Sequence, residues 1–140
     1  HLSGWAWKRL AAVDSAANFT VEFDVPESGV ARIGTYRNLL AIDPAYEGFV
    51  SAKGTSASID APAFETTGVR RLGLNIISFS RALNINYETD GWTEDIDSGA
   101  NNSRVVFLSK RIATAGTEAA HSVVVTSDDW HAGSLALLPR

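Results

Sequence analysis

The segment KRLAAVDSAANFTVEFDVPESGVARIGTYRN, residues 8–38, lies over KRIATAGTEAAHSVVVTSDDWHAGSLALLPR, residues 110–140, under one constant offset of 102. Five of the thirty-one positions are identical, and Leu10/Ile112, Thr20/Ser122, Val21/Val123, Phe23/Val125 and Ile33/Leu135 are conservative pairs. The same alternation twice predicts a duplicated all-β unit. In the first copy Phe19, Val21, Phe23 and Val25 alternate with Thr20, Glu22 and Asp24, the pattern of a strand with one buried face. PESG, residues 26–29, follows with turn chemistry, and Ala31, Ile33 and Thr35 then alternate with Arg32, Gly34 and Tyr36. These runs predict a hairpin from Phe19 to Tyr36. The offset predicts its equivalent over Ser122–Leu138, with Val21, Phe23, Ile33, Val123, Val125 and Leu135 all pointing into one core.

Working outward, residues 43–58 are rich in Asp, Pro, Gly and Ser and read as a connection crossing between sheets. Leu72 to Phe79, LGLNIISF, is a short apolar run rich in β-branched residues, which predicts a central strand covered on both sides. Val105–Leu108, Ser122–Thr126 and Leu135–Leu138 complete the set of strands. The one helix-compatible window, residues 7–17, has a repeat mate carrying Thr114, Gly116 and Thr117, which favours strand and loop. The expected fold is an antiparallel β-sandwich, jelly-roll-like, in a single domain spanning 1–140.

Carried backwards, the offset places His1 opposite Ser103, so the first unit is expected to lack its front strands. With no methionine and His1 at the front, the chain reads as a fragment, a processed chain or a trimmed one. The missing strand would leave an edge beside Trp5–Leu10, with Trp5 and Trp7 uncovered as an oligomer interface. A symmetric homo-oligomer, joined by β-augmentation, is the expected state.

At 140 residues, 45% hydrophobic and 20% charged, the chain is expected to fold around one core. A net charge of −4 with scattered Lys and Arg argues against nucleic acid as a partner. No cysteine is present, which removes disulfides and thiolate metal sites. No apolar run reaches the eighteen or so residues of a membrane span, so membrane insertion is not expected.

Several stretches together resemble a module of bacteriophage tail fibres, other virion proteins and large bacterial surface proteins. They are PAFETTGVRRLGLNIISF (62–79), GWTEDIDSG (91–99), VVFLSKRIATAGT (105–117) and HSVVVTSDDWHAGSLALLP (121–139). TYRNL (35–39) and SAKGTSAS (51–58) extend the likeness into the first unit. The resemblance implies a jelly-roll-like building block or adhesive tip without a catalytic site or cofactor, at a virion or extracellular surface. The partners it implies are further copies, other virion proteins and a host-surface glycan, and fibres of this class suggest a trimer.

Candidate chemistry is sparse. Of His1, His121 and His131, none sits beside a nucleophile turn, and no catalytic residue is assigned. Asp128 and Asp129 are adjacent and would point opposite ways in a strand, so they read as turn residues. The acidic stretch EDIDSG, residues 94–99, offers oxygen ligands at Asp95 and Asp97 that calcium would accept, but it lacks EF-hand spacing and reads as a solvated loop; no metal is assigned. Trp92 and Tyr87 flank one turn, and Trp130 and His131 flank the turn expected between the last two strands. Exposed rings there would form a glycan or partner site. The competing reading is that Trp130 plugs the end of the sandwich and His131 is solvated. A carbohydrate-binding module and a hydrolase are the rival function classes.

Overall fold

The computed structural model describes residues 32–42, 44–80, 85–100 and 103–140. They form seven strands: β1 (Tyr46–Ala61), β2 (Phe64–Thr66), β3 (Arg71–Phe79), β4 (Thr93–Ala100), β5 (Ser103–Ile112), β6 (Gly116–Glu118) and β7 (His121–Leu137). Five make one antiparallel sheet in the order β1-β7-β3-β5-β4, and β2 pairs with β6. No helix occurs among the described residues, and the all-β antiparallel class read from the sequence stands.

LGLNIISF is central, as its continuous apolar character requires. It lies in β3 between β7 and β5, burying Leu74 and Ser78 on one face and Asn75, Ile77 and Phe79 on the other. Residues 43–58, expected as a connection, are instead mostly strand: β1 runs antiparallel to β7 along most of its length. The small residues that suggested a loop serve close packing. A side chain at Gly54 would press to 2.9 Å from the Trp130 ring, and one at Gly48 would run into the backbone oxygen of Glu65. Gly48 also has φ +67°, and with Phe49 it opposes the single residue Leu135, forming a bulge.

Nor is Ser122–Leu138 a hairpin; it belongs to β7, a single strand of 17 residues. An irregularity replaces the expected turn: between Ser56↔Asp128 and Ser58↔Val124, the single residue Ala57 faces residues 125–127. Burial changes phase there. His121, Val123 and Val125 are buried before the irregularity, and Asp128, Trp130, Ala132, Ser134 and Ala136 after it. Consequently Val123 and Val125 do enter the core, while Leu135 falls on the opposite face of its strand and is only partly buried. In the first copy, residues 32–37 contain no strand and Ile33 is 57% exposed rather than inward. The rest of the Phe19–Tyr36 hairpin, the 7–17 window and the front edge lie outside the described residues.

The core lies on one face of the sheet. Ile77, Phe79, Val106, Leu108, Ala132 and Ala136 pack there against Ile59, Ala61, Phe64, Val123 and Val125, with Tyr87, Trp92 and Trp130 completing the cluster. Fully burying an aliphatic or aromatic side chain of this kind contributes roughly 1.5–3 kcal/mol, so a cluster this size accounts for much of the driving force. On the opposite face Gly34 packs against Phe107, and burial together with the charge of Asp95 pushes the Tyr36 hydroxyl up to about 12.

Candidate functional site

Residues 85–92 cross the core face between β3 and β4, and the turn at Asp90–Gly91 is made by two residues of positive φ. Asp90 tolerates that conformation because its short polar side chain adapts to it. The turn is closed by the Trp92 amide donating to the Thr89 carbonyl at 3.0 Å. This delivers the Trp92 ring onto Gly73 of β3, where a Cβ would stand 3.3 Å from it.

His121, the first residue of β7, faces Trp92. Their rings stack with centroids 5.6 Å apart and planes at 29°, and His121 Nε2 lies 2.9 Å from Thr89 Oγ1. His121 is 1% exposed, and its Nδ1 is buried with no hydrogen-bond partner. Burial holds its pKa below the usual imidazole value; Asp90 pulls upward and Lys110 downward. Lys110 Nζ also stands over Trp92, 5.8 Å from the ring centroid, and donates to Glu118 Oε1 at 2.5 Å. An open, shallow groove of about 470 Å³ lies alongside, lined by Gly91, Thr93, Ser109, Lys110 and Arg111.

Tyr87 sits farther along the same segment under Arg104, whose guanidinium carbon is 5.9 Å from the ring centroid. Burial raises the phenol's pKa although the Arg104 charge opposes it, and the hydroxyl has no partner. Arg104 itself is tied to Asp97 through Nε at 2.5 Å and through a second, parallel bond from Nη2. Close by, burial and the Asp97 charge raise the pKa of Glu94.

The rings expected at the surface are therefore inside: Tyr87 is 1%, Trp92 3% and Trp130 7% exposed. A buried ring offers no face to a sugar. Trp92 and Trp130 are also not brought together. Trp92 lies on Gly73, whereas Trp130 is the register partner of Phe79, six residues along β3 and about 20 Å away. Trp130 donates from Nε1 to Ser56 Oγ at 2.9 Å, which satisfies its indole within the fold. His131, next in β7, points to the opposite face and is partly buried. No turn separates it from Trp130.

Asp95 and Asp97 belong to β4 rather than to a loop. Asp95 is the extra residue of a bulge and accepts from Ser109 at 2.9 Å, while Asp97 is held by Arg104. Among the described residues, no group of three or more His, Asp or Glu side chains could hold a metal ion. Asp128 and Asp129 lie in strand, with the Asp128 side chain accepting from Ser80 and from the Asp129 amide, and Asp129 from Thr55. Trp5 and Trp7 lie outside the described residues.

Sequence reasoning underrated His121. Its signal was phase: His121, Val123 and Val125 alternate with Ser122, Val124 and Thr126, which places the imidazole on the buried side. Nothing in the sequence pairs Lys110 with Glu118. No known protein family, curated protein or solved structure matches the chain.

Proposed function

We propose that this chain is a non-enzymatic structural or adhesive module of a virion, of the kind built into phage tail fibres and appendages. It works at a virion or extracellular surface as a homo-oligomer or against other virion proteins. One observation carries the reading. Tyr87, Trp92, Trp130 and His121, the side chains best suited to ligand chemistry, are all committed to the protein interior. His121 stacks on Trp92 and engages the Thr89 hydroxyl inside the core, which supports a role in holding the fold. Apolar side chains meanwhile stand at the surface: Ile42 and Phe49 are each about half exposed and Val50 somewhat less, the material of an assembly contact.

The test is sedimentation velocity of the purified chain at micromolar concentration, run beside a glycan array. Self-association without a specific glycan ligand is expected. A well-behaved monomer that binds one glycan class, with binding lost in Trp130→Ala but retained in a core control such as Val123→Ala, would replace the proposal with a carbohydrate-binding module. Hydrolysis of a polysaccharide by the pure chain would replace both.

A further inference from the structure

We infer that residues 85–92 form an acid-loosened strap: protonation of His121 weakens the hold of this segment on the core and raises the population in which Tyr87 and Trp92 are uncovered. The strap carries two of the largest buried side chains among the described residues. Among the described residues, the contact between Thr89 Oγ1 and His121 Nε2 is the only hydrogen bond joining it to a strand other than β4. Its remaining hydrogen bonds among the described residues are the Thr89–Tyr87 and Trp92–Thr89 backbone bonds within it, the Asn86 side chain accepting from the Glu88 amide, and the Glu94 amide donating to Glu88. Arg104 also lies over the Tyr87 ring and Lys110 over the Trp92 ring, so among the described residues His121 is the strap's one hydrogen-bonding partner on a strand other than β4, though not its whole hold.

Neutral imidazole suits this position, because one nitrogen engages Thr89 and the other need not donate. The imidazolium donates from both nitrogens, and its Nδ1–H would be buried without an acceptor. The charged groups around the ring do not remedy this. Asp90 on the strap favours a positive charge, while Lys110 on β5 opposes it. Glu118 on β6 is bonded to Lys110, and Asp60 on β1 accepts from Ser58 and is exposed. Glu88 on the strap is exposed and accepts from the Glu94 amide. Stacking on the Trp92 indole favours the cation, but it supplies no acceptor for Nδ1–H. Release lets His121 and the strap hydrate together.

Hydrogen exchange followed by mass spectrometry on the whole chain, corrected for the intrinsic pH dependence of exchange, tests this between about pH 7.5 and about pH 5, the range in which histidine titrates. Protection of peptides covering 85–92 should fall about tenfold or more on acidification while β3 and β5 keep theirs. His121→Phe, which keeps an aromatic ring against Trp92 but cannot titrate, should abolish the acid response. Thr89→Val, which leaves His121 titratable, should lower strap protection already at neutral pH. Uniform loss of protection in all strands, an unchanged acid response in His121→Phe, or no response in the wild type would each overturn the inference.

Discussion

Asn75 and Ser134 stand directly opposite each other across β3 and β7, both fully buried, and neither the amide nor the hydroxyl has a hydrogen-bond partner. A buried polar group left unmet costs roughly 1–3 kcal/mol. Replacing Asn75 with Val, an apolar residue only slightly larger, should therefore leave the fold as stable or raise stability by about 1 kcal/mol. Urea unfolding measures it. A loss of more than about 1 kcal/mol would mean that the pair is satisfied by an internal water.

Among the described glycines, Gly48 is the position least able to accept a side chain. Its φ of +67° disfavours any Cβ, and the Cβ would meet the Glu65 carbonyl of β2. Backbone strain of this kind costs about 1–3 kcal/mol before the clash is counted. Gly48→Ala should lower the Tm by several degrees, and an unchanged Tm would show that β1 shifts freely away from β2.

Glu47 ties β1 to the turn before β3, taking bonds from Arg71 Nε at 2.8 Å, Thr67 N at 3.2 Å and Thr67 Oγ1 at 2.5 Å. Burial raises its pKa, but the bonds from Thr67 and Arg71 outweigh burial and leave it below the ordinary carboxylate value. A folded-state pKa below the unfolded one means that the unfolded chain binds the proton more readily, so this stabilisation is present above about pH 4.5 and fades as pH falls through the folded value. Glu47→Gln should be less stable than wild type at pH 7, and the gap should close as pH falls below 4.5 and through the folded value. A gap independent of pH would assign the effect to packing.

How far the sequence could be read depended on whether its periodicity ran unbroken. LGLNIISF was legible because a continuous apolar run has few homes other than a strand covered on both faces. β7 was not, because three residues at 125–127 oppose the single Ala57 and shift the buried phase, so one long strand imitates two short ones around a turn. β1 was hidden by its Gly, Ser and Ala residues, which are loop formers in composition but here admit the Trp130 ring and the β2 backbone. Tyr87 and Trp92 do flank a turn, as read. Their inward direction depends on Gly73, Arg104 and His121, which are distant in sequence and carry no pairing signal.

The aromatic rings build the core, and equilibrium urea unfolding of Tyr87→Ala, Trp92→Ala and Trp130→Ala beside the wild type measures how much stability they supply. Truncating a buried aromatic ring typically costs about 3–5 kcal/mol. Losses of that order are expected for Trp92 and Trp130, and a somewhat smaller one for Tyr87, whose unpartnered hydroxyl offsets part of the gain from its ring. Losses under about 0.5 kcal/mol, the size usual for surface substitutions, would place these rings at the surface instead of in the core.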